Sequence, residues 1–319
     1  MSATVWLNGE FVEPGEARVS AFDAGLQHGV GLFETMMAGP GGVFRLFDHL
    51  TRMQVSARAL GLSESLRVNP LAEAVRRTVE RAALERARVR LTITPGSLNM
   101  LAAARGAPGV EAPDPTVMIV AQPATAYPEA MFEQGVLATI ADGRLNPLDE
   151  SEGHKTVNYW RRLRALRDAG ARGAGEAIFL QVSNHLAGGA VSNLFIVRGG
   201  ALLTPIARGE EADVAGVGGD PDAAAPGARV IRSPVLPGVT RGVVMAIAER
   251  EGVRVERRML SISDLLDADE AFLTNSGWGV LPVTRVEGKA IGGGGVGPVA
   301  RALGEGWRRE VEAECSIAR

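Results

Sequence analysis

A strict two-residue period at 88–94 is the feature that most restricts the fold. Val89, Leu91 and Ile93 fall on one face, and Arg88, Arg90, Thr92 and Thr94 on the other, the pattern of a strand with one side against a core. Strands are also expected at 3–8, at Phe11-Val12 after a Gly9-Glu10 turn, at 32–37 and at the more uniformly apolar 116–122. Between them, Leu50, Met53, Ala57 and Leu60 recur at helical spacing behind Asp48 as cap. Asn69-Pro70 reads as the N-cap and first position of a second helix, with a stripe through Leu71, Val75 and Val79. Strands interleaved with helices predict an α/β or α+β domain.

The pattern breaks at 123–134, which carries two prolines and little periodicity. At ~150 residues per domain, 319 residues suit two: a small N-terminal domain over 1–122, a connection over 123–134, and a larger domain over 135–319. In the second domain, strands are expected at 136–141, 177–182, 194–197, 253–256 and 271–274. Helices are expected at 156–170, 238–252 and 298–312. The run 208–227 is rich in Gly, Ala, Asp and Pro without period and reads as a long, mobile surface insertion.

Charge and cysteine content exclude several classes. The net charge of −3 argues against nucleic acid as partner. The single cysteine, Cys315, forms no internal disulfide. Four histidines without ligand spacing argue against a metal site. Residues 1–6 lack a basic, apolar leader, and no window reaches the ~18 apolar residues of a spanning helix. The expected compartment is the cytoplasm.

Of 34 basic side chains only two are lysines, Lys155 and Lys289. Arginine substitutes for lysine on a solvated surface but never offers a neutral amine, so a lysine kept in this background is a candidate for amine chemistry. Lys289 lies in a hairpin-turn composition, Val286-Glu287-Gly288-Lys289, and reads as solvated. Lys155 lies in Gly153-His154-Lys155-Thr156-Val157-Asn158-Tyr159-Trp160, a candidate for a Schiff base. Leu236-Pro237-Gly238-Val239-Thr240-Arg241 opens a helix with backbone donors that suit an anion. Thr274-Asn275-Ser276-Gly277 ends an apolar strand with small polar groups.

Taken in order, these pieces resemble the class IV aminotransferase family: branched-chain and D-amino-acid aminotransferases and aminodeoxychorismate lyases. The similarity runs from Trp6-Leu7-Asn8-Gly9 through Asp23-Ala24-Gly25-Leu26-Gln27-His28-Gly29, Phe33-Glu34-Thr35 and Phe47-Asp48-His49-Leu50-Thr51-Arg52. It continues through the Lys155 segment, Ser192-Asn193-Leu194-Phe195, Thr204-Pro205, Leu236 to Arg241 and Phe272 to Ser276. The resemblance implies a two-domain fold type IV enzyme with pyridoxal 5'-phosphate (PLP) in the inter-domain cleft, acting on amino acids and 2-oxo acids as a homodimer. Carried over position by position, it implies that Lys155 joins the cofactor aldehyde and that Arg52 binds the phosphate. Val239, Thr240, Thr274, Asn275 and Ser276 would complete the phosphate site, Tyr159 would lie near the phenolic oxygen, and Arg90 near the substrate carboxylate.

This chain departs from the family at three places. The glutamate that pairs with the pyridine nitrogen, five residues before Asn193, falls on Gly188. The Asp of a Gly-Asp-Gly element is Val30, and Pro95 stands before Gly96 where the D-amino-acid enzymes and lyases carry arginine. The implied activity is transamination. Two alternatives stay open: the lyase, which releases pyruvate, and a weakly active PLP-binding homologue, because Gly188 leaves the ring a poorer electron sink.

Overall fold

The computed structural model describes residues 3–97, 114–214 and 231–316. The chain divides into two compact units. The first comprises Met1–Thr125 with Lys155–Asn158 and Val311–Arg319, and the second Ala126–His154 with Tyr159–Glu310. The chain thus re-enters the first unit twice, which a division at 123–134 alone does not anticipate.

The first unit is built on β1 (Thr4–Leu7), β2 (Glu10–Val12), β3 (Leu32–Gly39), β4 (Gly42–Val43), β5 (Ala87–Thr94) and β6 (Thr116–Pro123). They form one antiparallel sheet in the order β2-β1-β6-β5-β3-β4. The period in β5 does what it predicts: Val89, Leu91 and Ile93 are buried in a core shared with Leu50, Met53, Ala57, Leu71, Val75 and Val79. Those come from α2 (Leu46–Ala59) and α3 (Val68–Ala82), which follow the short α1 (Ala24–His28).

Both helices start earlier than their sequence signals. α2 is preceded by Arg45 in a left-handed conformation (φ 52°), which puts Asp48 inside the first turn. α3 follows Arg67, so Asn69 and Pro70 are also first-turn residues. Proline is tolerated there because first-turn N–H groups have no intrahelical acceptor.

The second unit holds β7 (Val136–Leu145), β8 (Glu176–Gln181), β9 (Leu186–Gly189), β10 (Asn193–Arg198), β11 (Ala201–Thr204), β12 (Val255–Arg257), β13 (Glu270–Asn275), β14 (Gly279–Val286) and β15 (Lys289–Ala290). Their order is β12-β11-β10-β13-β14-β7-β8-β9, with β15 on β14. The pairs β7–β8, β7–β14 and β11–β12 are parallel. Its helices are α4 (Ala130–Glu133), α5 (Trp160–Ala171), α6 (Glu211–Val214), α7 (Val239–Arg250), α8 (Ile262–Leu266) and α9 (Pro298–Cys315), the last turns of α9 counting with the first unit. β14 is absent from the sequence reading because Pro282 interrupts it. Pairing with β7 begins at Val283, just past the proline, so the missing N–H breaks no ladder on that side.

The expected insertion at 208–227 lies mostly outside the described residues. Its first residues are tied down: Glu210 bonds Arg241, and the Glu211 carboxylate accepts from Ser233 N–H at 2.6 Å. Among the described residues no helix is long and apolar enough to cross a membrane, and no cluster of metal-ligating side chains occurs. Lys289 is exposed beside a hairpin turn whose Glu287 (φ 48°) and Gly288 (φ 80°) both take positive φ.

The end of α9 docks on the β3–β4 hairpin. Gly41 N–H donates to the Cys315 carbonyl at 2.8 Å. A Cβ at Gly39 would sit 2.5 Å from that carbonyl, and one at Gly41 would run into the Ser316 backbone. Burial pushes the Cys315 thiol up to about 11, so it is protonated and inert at neutral pH. Gly41→Val is expected to lower stability by about 1–3 kcal/mol, read as a denaturation midpoint. Gly15→Ala, where an added Cβ meets nothing within 4 Å, is expected to leave the midpoint in place.

Candidate active site

Residues 155–157 do not open a helix. Phe33 N–H donates to the Lys155 carbonyl and Val157 N–H to the Gly31 carbonyl, both at 3.0 Å, with Leu32 and Thr156 bridged between them. The β-branched Thr156 and Val157 favour this extended backbone, and α5 waits until Trp160. Lys155 is therefore positioned by main chain against the start of β3. Its Nζ lies 4.4 Å from the centroid of the Phe33 ring. The Arg90 guanidinium lies 3.8 Å from the same centroid, with its Nε donating to Thr92 at 3.3 Å.

Arg52, on α2, is held by a carboxylate to which the sequence motifs assign no role. Glu34 on β3 is fully buried. It accepts from Arg52 Nε at 2.9 Å and Nη2 at 2.5 Å, and from His49 Nδ1 at 2.7 Å. An ionised carboxylate only accepts, so Nδ1 carries the hydrogen, and the 3.4 Å approach of Arg52 Nη2 to Nδ1 is a contact rather than a bond. Burial pushes the Glu34 carboxyl up, but the charges of Arg52 and His49 outweigh it and hold it at about 2. Burial lowers His49, with Glu34 opposing and Arg52 and Lys155 assisting. A lone acid in an otherwise apolar strand was the available signal for this cluster.

The remaining expected site residues lie in the second unit. Tyr159 precedes α5, with the Arg162 guanidinium 5.8 Å from its ring centroid. α7 starts behind Gly238, which is extended, and among the described residues no side chain caps that end, so the first N–H groups, those of Val239 and Thr240, face whatever precedes the helix. The loop is fixed from both sides. Asn193 Nδ2 donates to the Leu236 carbonyl at 2.8 Å, and the Asn193 side chain fills the place where a Cβ on Gly238 would go. Arg241, almost fully buried, binds Thr204 Oγ1, the Pro205 carbonyl and both oxygens of Glu210.

Thr240 Oγ1 is 3.5 Å from Ser276 Oγ. Thr274 Oγ1 is buried and finds no hydrogen-bond partner among the described residues. A buried hydroxyl without a partner, on the strand end whose Ser276 lies beside Thr240 at the helix start, fits an acceptor-rich group such as a phosphate. Asn275 contributes differently from its neighbours. Its Oδ1 accepts from Gly277 N–H at 2.8 Å and Trp278 N–H at 3.0 Å, while its Nδ2 donates to the Val191 carbonyl. It braces the turn that carries Ser276.

Gly188 lies in β9, one residue before its end, with φ 159°, and a Cβ there would lie 2.9 Å from the Ser192 carbonyl oxygen. A buried acid beside Gly189, Glu176 on β8, serves the turn that follows. It accepts from Ala190 and Val191 N–H and from Ser192 Oγ at 2.8 Å, as well as from its neighbour Ala177 N–H. Burial raises its carboxyl, with these bonds opposing.

The sequence matches the family model "Amino-transferase class IV" over residues 31–214 and 225–286. It is 30% identical over 310 residues to the branched-chain-amino-acid aminotransferase of Escherichia coli K12, covering 94% of this chain and 90% of that one. The crystal structure of an E. coli branched-chain aminotransferase superposes with a TM-score of 0.81 at 28% identity, covering 99% and 97% of the two chains. The branched-chain aminotransferase of T.th., solved with pyridoxamine 5'-phosphate, gives 0.81 at 27% identity, covering 99% and 95%.

Acidification should discharge the Glu34 cluster. Glu34 has a lowered folded pKa, so its contribution is complete above 4.5 and is lost as pH falls toward about 2. His49, also lowered, adds a loss below about 6.5. Glu34→Gln is expected to cost about 3–5 kcal/mol at neutral pH, because it removes the buried negative charge that Arg52 and His49 bind, and to flatten the acid limb of a stability–pH curve measured by urea unfolding. At the other unit, Gly188→Glu forces a Cβ against the Ser192 backbone oxygen. It is expected to lower the melting temperature rather than to speed the reaction.

Proposed function

The chain belongs to the class IV aminotransferases, and from that membership we propose which of its residues perform the transfer. The reaction moves an amino group between an amino acid and a 2-oxo acid, with PLP as cofactor. PLP supplies the aldehyde that takes up the amino group and the ring that accepts electrons from Cα.

Lys155 is the amine that joins the aldehyde and then moves a proton beside it. One observation carries this choice. Main-chain pairing to β3 holds Lys155 with its amine against the Phe33 ring, which Arg90 also touches, whereas Lys289 is exposed on a hairpin. Arg52, oriented by Glu34 and His49, supplies positive charge for the phosphate. Val239 and Thr240 supply helix-start amides, and Thr240, Thr274 and Ser276 supply hydroxyls. Asn275 holds that turn, Tyr159 serves the phenolic oxygen, and Arg90 receives the substrate carboxylate.

The relatives named above are branched-chain enzymes, and we assign branched-chain amino acids as donors on that ground, together with Arg90 and Pro95. The lyase alternative gains no support from them. Gly188 favours a slow member of the family, since no side chain there can hold a proton on the ring nitrogen. A homodimer suits the exposed Phe22 and Leu26, each 69% accessible at α1. A cytoplasmic site suits the lone, buried thiol, and the net charge of −3 supports the absence of a nucleic-acid partner.

Borohydride reduction of the PLP-loaded protein followed by peptide mapping is expected to place the pyridoxyl group on Lys155. Leucine, valine or isoleucine is then expected to convert the cofactor to its amine form at well under the ~10 s⁻¹ of an ordinary enzyme. An adduct on Lys289 would refute the assignment. Pyruvate release from a chorismate-derived substrate without a second oxo acid would restore the lyase.

A further inference from the structure

Phe33 is buried at 5% exposure, yet two cations lie against its ring: Lys155 Nζ at 4.4 Å and the Arg90 guanidinium at 3.8 Å from the centroid. An aromatic face attracts a cation through its quadrupole, and more strongly where water is excluded. The β3 backbone fixes this ring relative to Lys155, because Phe33 N–H donates to the Lys155 carbonyl. Ring and amine are thus presented to each other by the same pair of residues.

We propose that the Phe33 ring is the resting face for the Lys155 ammonium whenever that amine is not joined to the cofactor, and that it thereby sets how readily Lys155 lets the cofactor go. The proposal rests on Lys155 being the cofactor-binding lysine. Linkage forms a carbon–nitrogen double bond between Lys155 and the aldehyde carbon and expels the carbonyl oxygen as water. When the amino group of a substrate takes over that carbon, its carbon–nitrogen double bond replaces the one to Lys155, the substrate ammonium passes its three hydrogens to the departing lysine nitrogen, and the resulting Lys155 ammonium is the species the ring stabilises. The ring therefore acts on one side of the exchange only. It disfavours the Lys155 linkage and favours displacement by substrate. Phe33 is a positioning residue in this scheme, and its effect follows the electron density of the ring as well as its shape.

The test keeps the shape and changes the electrons. Phe33 is replaced in the full-length chain by mono-, di- and trifluorophenylalanine, which weaken the face stepwise at nearly constant volume, with Phe33→Leu as the limit. Each protein, stripped of cofactor, is titrated with PLP, reduced with borohydride and mapped. The PLP concentration that half-modifies Lys155 is expected to fall stepwise by about threefold over the series. The leucine concentration that half-converts the cofactor is expected to rise in parallel. A flat or reversed series would overturn the proposal while leaving Lys155 as the cofactor lysine. An adduct on another residue in the Phe33 protein would overturn the reading beneath it. If Phe33→Leu fails to fold, the fluorinated series still decides.

Discussion

A carboxylate sealed in the first unit governs much of what surrounds it. Removing Glu34 from water costs far more than any one hydrogen bond returns. The fold is therefore obliged to keep Arg52 and His49 in place, and with them one face of α2 against β3. The two Arg52 bonds to Glu34 also consume the freedom of a long side chain, so its guanidinium is held as a planar group in one orientation. A lysine could not be fixed this way, since its ammonium has no planar fork.

The second unit repeats the device around its loops. Arg241 and Glu210 pin the first turn of α7 to the segment after β11, and Glu176 gathers the N–H groups of the turn after β9. In both, a buried polar side chain is matched to backbone that would otherwise carry unsatisfied groups. Loops with no regular hydrogen-bond ladder thereby become rigid enough to hold Ser192, Asn193, Val239 and Thr240 at set positions.

The sequence was informative wherever one period or one residue type answered to one cause. β5 alternates because one face meets the core, and it was legible. The bias toward arginine likewise makes Lys155 conspicuous as a retained amine. Legibility failed where two causes competed. At 155–157, proximity to a helix masked the β-branched Thr156 and Val157. In β14, Pro282 is a poor strand former on its face, yet pairing with β7 starts only at Val283, past it. At α2 and α3 the capping residues Asp48 and Asn69 were real helix-start signals, displaced into the first turn by the backbone of Arg45 and Arg67. Glu34 lay in plain view within a motif, but its work depends on His49 and Arg52, residues 15 and 18 positions away, and sequence periodicity carries no such distance. Gly188 was legible as a missing carboxylate. Its close approach to the Ser192 carbonyl, which closes the position to any larger residue, was not.

The return of residues 155–157 to β3 bears on how the chain is made. During synthesis the first 125 residues emerge with the leading edge of β3 bare, since β4 pairs only with its far end at Ala38 and Gly39. A bare edge of Leu32 and Phe33 is a template for any passing strand. It is covered when the stretch bearing Lys155 follows, seconds later at ordinary elongation rates. The segment bearing Lys155 is thus also the strand cap of the first unit, and a chain truncated before it loses that protection against aggregation.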